Sequence, residues 1–380
     1  MSETQLAEHR PIERNRRALP KRKGSLFLFT PSDEPCGVEV FTRELASALG
    51  ANDGDAYGVL AISGRWSAIP ATLGRIIRAN RVVFSLPLNA WKQMLLVPIV
   101  LLLLSVLARR RVSVVLHEWA ALHWLRRAIF VPFIALGDSI VILSPFIRDQ
   151  IANDPIIGWA VRKCSLIPHP PTVRRPSTLT VTDMVRRVER LGEASDIVIG
   201  YFGAIYKGKA PIALLEICDH LHSCGIRASV VFIGSFTKSL DNYDELFRKR
   251  VKELNLDNHV IVTGYIEGES ELFALFERIG VFLFQFPEGL TARRSSVIAC
   301  LQSGRPVVVS APQTPAEFEH HSGFKALIAS GALSFVPRQG SVVEISDALR
   351  AAAIQTSNKA PTFDGDAWWN ATKDAARALL

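Results

Sequence analysis

Short apolar runs, each closed by a polar or glycine-bearing loop, alternate along this chain with amphipathic stretches. In the first half the pattern predicts strands at Leu26–Thr30, Gly58–Ile62, Val82–Leu86, Val112–Leu116 and Ile140–Leu143. The first of these is followed by the polar loop PSDEPCG and a helix, VEVFTRELASALG. A proline-rich exit, IPHPPTVRRP, gives way to a polar stretch, Ser177 to Ser195, that reads as linker or as one helix. The second half repeats the alternation. Strand IVIGYFG (197–203) precedes helix PIALLEICDHL, strand ASVVFIG (228–234), a charged helix over Tyr243–Leu254 and strand HVIVTG (259–264). Helix SELFALFERIG and strand VFLFQF then lead to a last strand, PVVVS. Strands that are apolar at every position, not at every second one, are covered on both faces, as parallel sheets flanked by helices require. The fold class is therefore α/β, and 380 residues exceed one ordinary core and suit two.

One segment departs from the pattern. Met94 to Ala108, MLLVPIVLLLLSVLA, is apolar except for one serine, contains a proline, and runs into Arg109, Arg110 and Arg111. A bilayer core needs about twenty residues of helix, and a span here would cut the following strand from its sheet. Two readings stay open beside it: a buried core helix, and a helix docked in a membrane interface with the triple arginine reaching phosphate groups.

Charge and cysteine content narrow the partners. Of the net charge of +8, much lies in the first 23 residues, with seven Arg or Lys against three Glu. This arm has no apolar core of a secretory signal and suits an anionic lipid surface or solubility. It lacks interleaved aromatics, so nucleic acid is not an expected partner. The five cysteines form no CxxC pair, which points to reduced thiols in a cytosolic setting and to no zinc site.

The most informative stretch is FPEGLTARRSSVIACLQSGRPVVVSAP, from Phe286 to Pro312. It reads as strand, polar loop, helix, glycine stop and strand, with its functional groups at the carboxyl end of the first strand. Open α/β sheets bind ligands at that edge. Arg293 and Arg294 stand where helices ordinarily prefer acids, and cations at a helix amino terminus suit a diphosphate. The plainer reading is a buried crossover whose arginines cap a surface.

Four separated motifs share an order with one family. TPSDEPCGVEVFTREL, GYFGAIYKGKA, VIVTGYIEGESELFALF and EGLTARRSSVIACLQSGRPVV resemble segments of retaining bacterial glycosyltransferases of the GT-B fold, the family 4-like polysaccharide biosynthesis group. The resemblance runs from Leu26 to the end, including Trp368-Trp369. It implies two Rossmann-like domains facing across a cleft, with a C-terminal helix returning to the first. The expected boundaries are a basic arm at 1–23, an acceptor-side domain at 24–172, a linker at 173–196, a nucleotide-sugar domain at 197–360 and a helix at 361–380. It also implies sugar transfer from a nucleotide-sugar to a lipid-linked (polyprenyl diphosphate) or glycan acceptor at the inner face of the cell membrane, with no metal and no separate cofactor.

Residue by residue, Lys209 matches the lysine that neutralises the leaving diphosphate, and Arg293 and Arg294 are further phosphate candidates. Gly37 lies where backbone amides approach the donor at the head of the first helix. Gly264 and Tyr265 fall where the nucleobase packs, with plain core as the alternative for Tyr265. His117 ends a strand from which the family reaches the donor sugar. Glu118 is placed to orient the acceptor, and Glu288 to bond sugar hydroxyls or to pair with Arg293 or Arg294. Ser144 and His169 line up with less specific cleft positions. Arg109 to Arg111 are assigned to acceptor or membrane.

Departures matter too. The family's two glutamates, the second gripping ribose, are replaced by Thr291 and Ala299, and Ala204 stands where an arginine follows Gly203. Ser295 replaces the loop glycine. Arg293 or Arg294 is the expected substitute for the lost charge. If transfer inverts configuration, Asp33, Glu34 and Glu118 are the acids available as base. The rival readings are a catalytically silent GT-B-like membrane partner, a membrane protein whose basic arm and apolar segment are its main business, and an epimerase or hydrolase of the same fold.

Overall fold

The computed structural model describes residues 24–29, 37–53, 57–61, 69–87, 96–237, 242–355 and 363–380. The basic arm, the loop holding Asp33, Glu34 and Cys36, and the ends of several predicted elements (Thr30, Ile62, Met94) lie outside them. Two parallel sheets are present. The first holds β1 (Ser25–Phe29), β2 (Tyr57–Ala61), β3 (Arg81–Leu86), β4 (Arg111–Leu116), β5 (Ser139–Ile142) and β6 (Cys164–Leu166), in the order β2-β1-β3-β4-β5-β6. The second holds β7 (Ile197–Phe202), β8 (Ala228–Ile233), β9 (Val260–Val262), β10 (Val281–Phe284), β11 (Val307–Ser310) and β12 (Leu333–Val336), in the order β12-β11-β10-β7-β8-β9.

Counted from its own first strand, the second sheet has the 3-2-1-4-5-6 order of dinucleotide-binding sheets. Strand order reverses between β7 and β10 there, and between β1 and β3 in the first sheet. Those are the places where loops diverge and open a crevice at the carboxyl edge. The central strands β3, β4, β8 and β10 are buried along nearly their whole length, as their mostly apolar sequence predicts.

The chain's last helix, Gly365–Leu379, joins the halves. Its adjacent tryptophans part company. Trp368 packs into the second core beside Phe324 and His321, while Trp369 and Ala376 enter the first among Phe27, Phe41 and Leu45. Two hydrogen bonds secure it, from Thr372 Oγ1 to Pro168 O at 3.1 Å and from Ser25 Oγ to the carbonyl of Leu380. The polar stretch from Ser177 resolves into a helix, Asp183–Glu193, capped by Thr182, whose Val185 and Val188 join the second core.

Apolar segment 94–108 forms helix Leu96–Leu107, one face of which (Val97, Leu101, Leu102) is buried on the first sheet. No helix among the described residues is long and apolar enough to cross a membrane. The helix returns from the carboxyl edge of β3 to the amino edge of β4, so Arg109 to Arg111 sit at the sheet edge away from the crevice. Arg110 caps backbone there, donating from Nε to Ala108 O at 2.7 Å and from a terminal nitrogen to Ala79 O at 3.1 Å. Helix Trp124–Leu136 was not foreseen, because its apolar residues are interrupted by arginines and Pro132.

Candidate active site

The carboxyl edges of the two sheets meet, and their loops bring together most of the residues singled out from sequence. Gly203 leaves β7 with φ +126°, a conformation that side chains rarely adopt. A Cβ there would stand 3.3 Å from Lys209 Nζ, so the glycine lets the lysine fold back over the strand end. The ammonium lies 6.0 Å from the Tyr201 ring and 5.6 Å from that of Tyr206. Burial, then the neighbouring Arg294 guanidinium, lowers its pKa to about 8. Among the described residues no carboxylate pairs with it.

From the β10 side, Arg293 reaches across the crevice to Glu118 at 3.1 Å, and Arg294 pairs with Glu288. Arg294 also lies over the Phe286 ring at 4.4 Å, and its pKa is lowered, chiefly by burial. The Nε atoms of both arginines are buried without a hydrogen-bond partner among the described residues, as is Thr291 Oγ1. Arg294 precedes helix Ser295–Gln302 directly. Three cations thus crowd one sheet edge, and while Arg293 and Arg294 have carboxylate partners, Lys209 has none among the described residues, which leaves it attraction for an anion.

His117 faces the same place from β4. It is 6 % exposed, its Nε2 has no partner among the described residues, and Phe41 meets it edge-on at 5.1 Å. Burial, then His169 and Arg293, lowers its pKa to about 3, so its ring is neutral. His169 is held similarly, at about 4 and chiefly by burial; its Nδ1 donates to Pro170 O at 2.6 Å, and its own carbonyl accepts from His321 Nε2.

Other expected residues lie apart. Gly264, with φ +78°, is on the same edge of the second sheet, bridged to Gly234. Tyr265 beyond it is 76 % exposed, so its core reading is wrong: β9 ends at Val262 and the chain has already turned outward. Gly37 is the exposed first residue of helix Gly37–Asp53, at the carboxyl edge of β1. Arg109 to Arg111 stand at the far end of β4, about 20 Å along the strand from Glu118.

The residue that sequence reading missed is Glu317, in the loop after β11. It is fully buried between the halves. Its Oε1 accepts from Ala292 N at 2.6 Å and from Ser144 Oγ at 2.5 Å, and Oε2 accepts from Phe146 N at 3.0 Å. Phe146 lies in the first turn of helix Pro145–Ala152 of the first half, whereas Ala292 belongs to the arginine loop. One carboxylate therefore ties the arginine loop to the opposite domain. Desolvation raises its pKa against those bonds and Arg293. Only its position after the strand PVVVS hinted at this, and Glu319 nearby shares the hint.

No family model matches the chain, and no curated protein matches it in sequence. Solved structures do. HepE of Anabaena in complex with UDP-glucose superposes with a TM-score of 0.61 at 15 % identity, over 94 % of this chain and 100 % of that one. Sucrose-phosphate synthase of Thermosynechococcus elongatus gives 0.57 at 14 %, covering 94 % and 95 %. WaaG, a glycosyltransferase involved in lipopolysaccharide biosynthesis, gives 0.54 at 12 %, covering 93 % and 95 %. At such identities the likeness is one of architecture. Two Rossmann-like parallel sheets, their carboxyl edges opposed across a cleft and their ends joined by a returning helix, give this chain the GT-B fold of glycosyltransferases.

Proposed function

We propose that the protein is a glycosyltransferase that moves a sugar from a nucleotide-sugar to a lipid-linked or glycan acceptor in bacterial polysaccharide assembly, without a metal and with retention of configuration. The observation that carries this reading is the partly buried, carboxylate-free Lys209 beside Arg294, at the β7/β10 reversal of a dinucleotide-ordered sheet. A lysine kept charged in such a place at neutral pH is poised for an anion. The neighbouring fold in HepE is known in complex with UDP and with UDP-glucose.

As the bond between sugar C1 and the diphosphate oxygen breaks, charge collects on the leaving group, and Lys209 with Arg294 is preorganised to stabilise it. The acceptor hydroxyl oxygen bonds to C1, and its proton passes to the departing phosphate oxygen. Retention on that route needs no protein base. Neutral His117 offers its free Nε2 to a sugar hydroxyl, and Glu118 and Glu288 supply further acceptors at the rim. Inversion would instead call on Glu118.

A peripheral membrane setting has its own support. Ile77, Leu96, Leu103, Leu107, Trp124 and Leu125 are exposed on three adjacent helices of the first half. Arg78, Arg109 and Arg126 lie on or beside those helices. Apolar side chains rimmed by arginine suit an anionic lipid surface.

The reading of a silent partner rests on Thr291 and Ala299, which leave no carboxylate where ribose would be gripped. A thermal-shift panel of UDP, GDP and ADP and their sugars, with and without EDTA, separates the two. A ligand that binds only the folded state at a hundredfold excess over its Kd stabilises by about 2.7 kcal/mol. A shift with one nucleotide, kept in EDTA, supports metal-free transfer; no shift with any of them supports the silent partner.

A further inference from the structure

Helix Pro145–Ala152 of the first half begins without help from its own N-cap side chain. Ser144 has the extended backbone of an N-cap residue, but its hydroxyl caps none of the described amides. Such a hydroxyl ordinarily accepts from the second or third helical N–H. Glu317 takes that role instead. Its Oε2 accepts from Phe146 N, the second helical residue, at 3.0 Å, and Ser144 Oγ turns to donate to Oε1. The cap is therefore supplied by the other half of the molecule. The positive end of the helix and these two donors favour the ionised carboxylate there.

The same Oε1 also accepts from Ala292 N at 2.6 Å, directly before Arg293 in the chain. Ser144, Ala292 and Glu317 are all fully buried, so bulk solvent does not compete for these bonds. The other backbone bonds of the arginine loop join close neighbours in sequence, Arg294 N to Thr291 O and Ser295 N to Arg293 O. They shape the loop but do not fix where it stands. Glu317 fixes it, at the peptide that precedes both arginines, and Arg293 lies close enough for its charge to act on that carboxylate. One side chain thus spans a helix terminus in the first half and the phosphate candidates of the second.

We infer that Glu317 is a positioning residue: by capping helix Pro145–Ala152 from the opposite half while holding Ala292 N, it sets Arg293 and Arg294 for a diphosphate. The inference rests on the transferase reading above. Under it, the two arginines owe their preorganisation to contacts in the other half, although no residue of that helix touches the nucleotide. Coupling of this kind is reciprocal. An anion that orders the arginine loop therefore also tightens the cap on the helix.

The test uses the full chain and whichever of UDP, GDP or ADP raises the melting temperature most. Calorimetric titration gives the affinity, and hydrogen exchange read by mass spectrometry follows the peptide that carries Phe146. In the wild type the nucleotide should slow exchange there about threefold or more. Glu317→Gln keeps an oxygen for Ala292 N but sets an amide NH₂ against the first-half donors. It should weaken the nucleotide about tenfold and abolish the slowed exchange. Ser144→Ala leaves Glu317 both backbone donors, should weaken the nucleotide about threefold, and decides the matter if the glutamine variant does not fold. Thr314→Val removes a different bond between the halves, Thr314 Oγ1 to Asp149 Oδ2 at 2.8 Å, and should leave affinity unchanged. A role in stability alone lowers melting temperatures and leaves every affinity as it was, which overturns the positioning role. Nucleotide binding that does not slow exchange at Phe146 overturns it too, as does equal weakening by Thr314→Val. Absence of any nucleotide shift in the wild type overturns the transferase reading itself, and the role of Glu317 with it.

Discussion

Replacing Lys209 by methionine should stabilise the unliganded protein while destroying its grip on a diphosphate. The ammonium packs near two tyrosine rings and against Arg294, and burial takes its pKa from 10.5 to about 8. At about 1.4 kcal/mol for each tenfold change, that is about 3 kcal/mol against folding at pH 7. Partial exposure of the side chain trims it to about 2 kcal/mol. Methionine keeps the stem in contact with Tyr201 and Tyr206 and removes the charge. For a domain of this size the gain corresponds to about 4–8 °C in melting temperature.

The pH dependence has a definite sign. The folded pKa lies below the unfolded one, so the penalty is full below pH 8. It shrinks as pH rises from 8 toward 10.5 and vanishes above that, where the lysine is neutral in both states. The gap between variant and wild type should therefore be widest at pH 7 and nearly closed at pH 10.5. Differential scanning fluorimetry at both values, with and without the best nucleotide, reads all of this. A variant that melts at or below the wild type at pH 7 would refute the buried-charge argument. A variant still shifted by nucleotide would refute the role of Lys209 in holding phosphate.

Four further outcomes are expected. Glu317→Ala strands two backbone N–H groups and a hydroxyl and should cost about 3 kcal/mol; Glu317→Gln, which keeps one acceptor oxygen, should lose about half of that in urea titrations. Arg293→Ala/Arg294→Ala should abolish turnover with circular dichroism unchanged, and retained activity would remove both arginines from the mechanism. Because burial holds His117 near 3 and His169 near 4, kcat/KM should show no histidine titration between pH 5 and 7, and an inflection near 6.5 would contradict their burial. Leu103→Asp/Leu107→Asp should reduce sedimentation with anionic vesicles at least fivefold while leaving nucleotide shifts alone, since both leucines are exposed and far from the cleft edge.

The sequence by itself determined the parallel α/β class and most strand positions, since runs such as IVI (140–142) and VFLF are apolar at every residue and can lie only in a sheet covered on both faces. It also located the chemistry of the arginine loop, because Arg293 and Arg294 before an apolar helix violate the local preference for acids there. Only the tertiary structure decided which partners those groups have. That Arg293 meets Glu118, that Trp368 and Trp369 serve different cores, and that Glu317 joins Ala292 to Phe146 are contacts between residues far apart in the chain, which local periodicity does not encode. The same holds for Arg109 to Arg111. Their charge was legible, but the direction of helix Leu96–Leu107 put them at the amino edge of β4, and a parallel sheet binds its ligand at the other.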